Sequence, residues 1–333
     1  MKFLVIRFSS IGDIVLTTPV IRCLKQQVPN AEVHYLTKGS FKNILEQNPY
    51  IDKIITLDLS WDLMIHQLQI EKYDYIIDLH HNLRTLRVKS ALHVQSFSFN
   101  KLNIQKWLLT ALKINRLPKL HIVDRYLDTL KNFDVVNDGL GLDYFYKEED
   151  EQCLNDIPLP HKMGYIAVVI GAQHATKKLP REKLKHLCNI LEYPVILLGG
   201  KEDKQDGKYI ASDNDIKIYN ACGIFELNES AVLVKHADAV ISHDTGLMHI
   251  AAAFKKRIIS VWGNTVPEFG MEPYYGKFEI RNSKFEIRNL HCRPCSKIGY
   301  NKCPKKHFKC MRLQNVDKIV ENALQLAQTK ATS

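Results

Sequence analysis

Four short stretches of this 333-residue chain place acids, lysines, glycines or a histidine directly after apolar runs. In SSIGD (9–13), Gly12 allows a tight turn or a close backbone approach by a ligand, and Asp13 falls at the start of the next amphipathic stretch. An aspartate at a helix start accepts bonds from free N–H groups, which alone accounts for many of them. The same bonds keep its carboxylate ionised and fixed in direction. Such a group at the mouth of a site can take a proton from a hydroxyl.

The second stretch is SHDTGLMHIAAAF (242–254). Asp244 can cap the helix that follows. Thr245 and Gly246 expose first-turn N–H groups suited to a phosphate, and His249 lies about one turn inside. The third, GAQHATKKLPREK (171–183), sets Lys177 and Lys178 just before a helix, where positive charge is mildly unfavourable unless an anion uses it. In the fourth, LLGGKED (197–203), two glycines close a strand and Glu202 follows, at a place where carboxylates accept bonds from ribose hydroxyls. The second half would thus grip a phosphorylated, ribose-bearing ligand, and the first would offer a base to a nucleophile.

The elements that must position these residues repeat one theme. Apolar runs FLVIR (3–7), EVHYL (32–36), KIITL (53–57) and YDYIIDL (73–79) alternate with helix-spaced stretches, and so do YIAVVIG (165–171), PVILLGG (194–200), IKIYN (216–220), DAVISH (238–243) and RIISVWG (257–263). Near-continuous apolar strands separated by helices mean parallel sheets covered on both faces. The expectation is an α/β protein of two doubly wound, Rossmann-like domains facing across a cleft, residues 1–155 and 156–333, joined near the polar stretch 148–162. The final helix, 315–328, is free to pack on either domain. Ligands of such sheets bind beyond the carboxyl ends of the strands, where all four stretches lie. No GxGxxG and no GxxxxGK[ST] occurs, which disfavours a dinucleotide dehydrogenase and a P-loop NTPase.

The formal net charge of +10 points to acidic partners: phosphates or an anionic lipid surface. None of the usual nucleic-acid-binding signatures is present, so no nucleic-acid partner is expected. No apolar run approaches the length of a membrane span, and the first seven residues are too short for a secretory signal, so a cytoplasmic protein is expected. Of eight cysteines, Cys23, Cys153, Cys188 and Cys222 are dispersed and suit buried apolar positions. Cys292, Cys295, Cys303 and Cys310 form C-x2-C-x7-C-x6-C with His307 inside the last interval. That spacing suits either a structural zinc site or packed thiols.

At these motifs the chain resembles glycosyltransferase family 9, the ADP-heptose:lipopolysaccharide heptosyltransferase family. The likeness rests on SSIGDIVLTTPVIRCLKQQVPNAEVHYLT (9–37), IDLHHNLRT (77–85), ATKKLP (175–180) and SHDTGLMHIAAA (242–253), in order and at matching separations. The resemblance implies a GT-B fold and inverting, metal-independent sugar transfer. It makes Asp13 the general base, beside Gly12. It makes Lys177 the phosphate-binding lysine, with Lys178 second and Thr176 in the same motif. Glu202 becomes the ribose acid, and Asp244, Thr245, Gly246 and His249 the donor loop. Leu179 departs from the family, which usually has Trp there. The expected donor is ADP-heptose, a substrate rather than a cofactor, and no cofactor or metal is expected at the reaction centre. The expected acceptor is the lipopolysaccharide core or a related lipid-linked, acidic or phosphorylated saccharide, with Arg84, Arg87 and Lys89 placed to meet it. A monomer in peripheral contact with the cytoplasmic face of the inner membrane follows. Two rival readings are a nucleotide-sugar epimerase of the same shape and a non-catalytic anion-binding protein.

Overall fold

The structure, a computed structural model, describes residues 1–58 and 60–328; the last five residues of the expected second domain lie outside it. The chain forms two compact units, each built on one parallel sheet.

The first sheet has the order β3-β2-β1-β4-β5, with β1 at Lys2–Ile6, β2 at Glu32–Thr37, β3 at Lys53–Thr56, β4 at Tyr75–Asp78 and β5 at Gln95–Ser98. Phe3 to Ile6 are wholly buried because β1 is central and covered on both faces. Val5 pairs with Tyr35 of β2 on one side and Ile77 of β4 on the other. Leu4, Ile6, Leu36, Ile55 and Ile76 pack with Met64, Leu68 and Val88 of the covering helices Trp61–Ile70 and Leu83–Leu92.

The second sheet has the order β11-β10-β9-β6-β7-β8, with β6 at Ile166–Val169, β7 at Val195–Leu198, β8 at Ile218–Asn220, β9 at Ala239–His243, β10 at Ile258–Trp262 and β11 at Ser283–Glu286. Val168 pairs with both Leu197 and Ile241. The last helix, Val316–Gln328, settles the choice left open by the sequence. Its Val316, Ile319, Val320, Ala323, Leu326 and Ala327 belong to the core of the second unit, against helix Arg181–Ile190.

In each sheet the chain starts in the middle, builds outward to one edge, then returns to build the other. The strand order therefore reverses between β1 and β4 in the first unit and between β6 and β9 in the second. Loops leaving these paired strands diverge to opposite faces and leave a crevice at the carboxyl ends. Edge strands β5 (QSFS) and β11 (SKFE) escaped the sequence reading, because a half-exposed edge needs no continuous apolar run.

The division differs from a single boundary at 155/156. Among the described residues the first unit holds those of Met1–Lys101, Leu120–Tyr146 and Tyr274–Phe278; the second holds Leu102–Lys119, Lys147–Pro273 and 279–328. Leu109 of the early excursion packs on Val266 and Phe269. Tyr274 donates to Asp124, and the Lys277 N–H to the Gly139 carbonyl. The polar stretch near 155 is itself anchored within the second unit: the Cys153 thiol meets the Glu229 carbonyl, and His161 Nε2 donates to the Val195 and Lys217 carbonyls. Such contacts carry no sequence period, which is why composition alone missed them.

Candidate functional site

In the first unit the crevice between β1 and β4 receives the loop that bears Asp13. The run FLVI continues into Arg7, whose guanidinium is buried at the strand end. Arg7 Nη1 donates to the Leu79 carbonyl at 2.6 Å and to the Tyr126 hydroxyl at 3.0 Å, and Nη2 lies 2.8 Å from Asp13 Oδ2. Burial opposes the charge on Arg7, but Asp13 and the neighbouring phenols outweigh it and hold its pKa above the usual arginine value. Asp13 is the third residue of the short helix Ile11–Val15, with buried Gly12 before it. Its carboxylate also accepts the Ser10 hydroxyl at 2.9 Å and the Ser10 N–H at 3.3 Å. The side chain keeps 22% of its surface exposed, so it is fixed but open to solvent.

Beside it lies an open cavity of about 480 Å3, lined by Ser9, Lys38, His80, Asn82 and Arg84 among others. It sits on the loops that follow β1, β2 and β4. Burial, then the Arg7 charge, pushes His80 down to about 4, so its ring is neutral near pH 7. The three cations expected here have separate uses. Arg84 lines the cavity. Arg87 stacks on the Trp61 ring at 4.3 Å. Lys89 does not reach the cavity lining: it pairs at 3.0 Å with Asp78, which is wholly buried, and donates to Ser98. An unpaired carboxylate at that depth would be costly, so Lys89 is structural.

In the second unit the corresponding crevice lies between β6 and β9. Lys177 ends a 3-10 turn, Ala175–Lys177, after β6, and Asp244 follows β9 directly. Lys177 Nζ and Asp244 Oδ2 meet at 2.6 Å, and the Thr265 hydroxyl donates to the same oxygen at 2.9 Å. Thr245 is the N-cap of helix Gly246–Ala253, and Thr245 and Gly246 are only half-buried. Their backbone stands at the open end of that helix, the geometry that accepts a phosphate. His249 is buried in the body of the helix.

Other expected residues are used differently. Lys178 turns away from Lys177 and binds the buried Asp203 at 2.5 Å. Asp203 also accepts the Gly200 N–H, and Gly171 leaves room for it, since a Cβ at 171 would strike its carboxylate. Glu202 is exposed and lies over Gly200. Thr176 is buried, and its hydroxyl exchanges bonds with the Tyr300 backbone, donating to the carbonyl at 3.1 Å and accepting from the N–H at 2.8 Å. It anchors the lysine loop, and those bonds take up much of the capacity a substrate would need. Leu179, at the family's tryptophan position, enters the hydrophobic core, and its N–H donates to His243 Nε2 at 3.0 Å. Arg7, Asp203, His243 and Thr265 escaped the sequence reading. Only Arg7, a cation ending a buried run, carried a usable signal.

Among the described residues, one group of three metal-type ligands gathers its donor atoms within 4.8 Å: Glu32, His34 and Glu71. It lies at the opposite, amino end of the first sheet. Lys2 and Lys53 already neutralise it, which makes it an ion-pair network.

The same architecture recurs in known glycosyltransferases. A glycosyl transferase family 9 structure from Veillonella parvula superposes with a TM-score of 0.77 at 20% identity, covering 98% of this chain and 97% of that one. The E. coli ADP-heptose lps heptosyltransferase II gives 0.76 at 19% identity, covering 98% of each chain. These likenesses define the fold as GT-B. In sequence, lipopolysaccharide heptosyltransferase 1 of Campylobacter coli is 26% identical over 292 residues, 80% of this chain and 84% of that protein. The model of glycosyltransferase family 9 (heptosyltransferase) matches residues 62–300. The chain belongs to that family, and it is a glycosyltransferase.

Proposed function

We propose that the protein transfers heptose, with inversion, from ADP-heptose to a sugar hydroxyl of the lipopolysaccharide core or a related lipid-linked acidic saccharide. The observation that carries the reading is the placement of charge at the two crevices. One holds an ionised carboxylate beside a cation-lined cavity; the other holds a lysine beside an open helix start. The donor named for the E. coli relative, ADP-heptose, supports the choice of sugar and nucleotide.

In this reading the acceptor hydroxyl attacks the anomeric carbon from the face opposite the diphosphate. The new C–O bond forms as the bond to the diphosphate breaks, and Asp13 accepts the hydroxyl proton. A carboxylate paired with an arginine is a weak base. A weak base serves here because the hydroxyl becomes strongly acidic only as its oxygen bonds to carbon. ADP leaves with its charge met by Lys177 and by the N–H groups at Thr245 and Gly246, a pairing that calls for no catalytic metal or cofactor. Lys38 and Arg84 suit an acidic or phosphorylated acceptor. The high positive charge suits visits by a monomer to the anionic cytoplasmic face of the inner membrane. Among the described residues no helix is long and apolar enough to cross a membrane.

The test is a panel of nucleotide sugars scored by thermal protection and then by transfer to a core saccharide, with the product's anomeric configuration read by NMR. Protection by ADP-heptose and an inverted product support the proposal. Protection by a UDP- or GDP-sugar alone contradicts the donor. Turnover of the donor sugar without any acceptor, by epimerisation, contradicts the reaction class.

A further inference from the structure

Residues 287–308 contain no helix or strand, yet they pack inside the second unit between β11 and the short helix Lys309–Arg312. A loop of that length inside a compact domain needs something other than a hydrophobic core to order it. Cys292, Cys295, Cys303 and Cys310, far apart in spacing, all line a single small cavity of about 10 Å3, with His307 and Asn264. That volume suits one atom-sized occupant.

We propose that this cavity is a structural metal site in which the four thiolates bind one divalent ion of the zinc class. Four thiolates are the ligand set of closed structural sites, and soft sulfur selects zinc or iron over magnesium or calcium. Three further observations fit. Asn264 is 1% exposed, and neither its Oδ1 nor its Nδ2 has a partner; its amide N–H groups are donors available to thiolates. His307 Nδ1 accepts the Lys309 N–H at 3.0 Å, so the neutral ring carries its proton on Nε2, which lies 3.7 Å from the Cys292 sulfur. His307 is therefore a donor to a ligand rather than a ligand, which makes the set four thiolates and not three thiolates with an imidazole. Around the loop, Arg293 donates to the Gly263 and Thr265 carbonyls and pairs with Glu286, while Lys113 donates to the Pro294 carbonyl. These contacts fix the C-x2-C turn and place positive charge beside a site of net negative charge.

No three of the sulfurs fall within 4.8 Å of one another, so binding must draw them inward. The ion's role is separate from sugar transfer. It would order the loop whose Tyr300 holds Thr176, the residue before Lys177.

The experiment is metal analysis of the purified full chain, without chelator, beside Cys295→Ser and Cys310→Ser variants and a thiol count on the denatured protein. The expected result is about one equivalent of zinc or iron per chain, lost in either variant, with a lower melting temperature. Wild-type protein that holds no transition metal even after reconstitution with zinc, or whose cysteines are paired as disulfides, overturns the proposal. The metal count reads the wild type directly, so it stands even if a variant fails to fold.

Discussion

Lys177 and Asp244 meet at 2.6 Å across the point where the second sheet reverses its strand order. Neither residue is near the other in sequence. One comes from the loop after β6, the other from the loop after β9. The aspartate, itself held by Thr265, fixes the lysine ammonium beside the residue that precedes the N-cap of helix Gly246–Ala253. A phosphate arriving there would find the cation already in place.

In the proposed reaction Lys177 meets the phosphates of the nucleotide. Lys177→Ala is expected to weaken ADP binding about 10- to 100-fold, the worth of a charge-assisted hydrogen bond. Calorimetric titration with ADP checks this, and raising the salt should narrow the gap from wild type.

Lys178 separates position from function. It pairs with buried Asp203 and not with Asp244. Lys178→Ala should leave ADP affinity within about threefold of wild type and lower stability by about 1–3 kcal/mol, because a buried acceptor loses its partner. Urea unfolding and ADP titration of one protein sample read both quantities.

This pair shows what the sequence made legible. The alternation of apolar runs was enough to place β1–β4 and β6–β10, and the strand-end rule located the crevices. Strand ends alone did not separate Lys177 from Lys178; the family resemblance put Lys177 first, and it named Glu202 while Asp203 went unread. Adjacent residues differ in role through which way each side chain turns, and for Asp203 that depends on space left by Gly171 in the loop after β6. Thr176 and Lys89 looked available because their partners, Tyr300 and Asp78, are set by tertiary contact.

His243 gives the protein an acid-sensitive joint. Burial, then the Lys178 charge, lowers it from 6.5 to about 4, and its Nε2 accepts the Leu179 N–H. The unfolded chain binds a proton at this ring below about pH 6.5, while the folded chain does not until about pH 4. Stability should then be complete above about pH 6.5 and decline as pH falls toward about 4. Urea midpoints across that range should show a shallower acid slope in His243→Gln than in wild type.

In the proposed reaction Arg84 and Lys38 meet the acceptor and not the nucleotide. Arg84→Ala with Lys38→Ala should raise the acceptor KM about tenfold or more and leave ADP affinity unchanged. Initial-rate kinetics at saturating donor, beside ADP titration, check the split.

Asp13 is the proposed base, and its isosteric amide separates proton acceptance from shape. Asp13→Asn keeps the shape and the bonds from Ser10 but cannot accept a proton. With ADP-heptose and a core acceptor, single-turnover transfer should fall about 100- to 10,000-fold while donor affinity stays within about threefold of wild type. Transfer at near wild-type rate by folded Asp13→Asn would contradict the account.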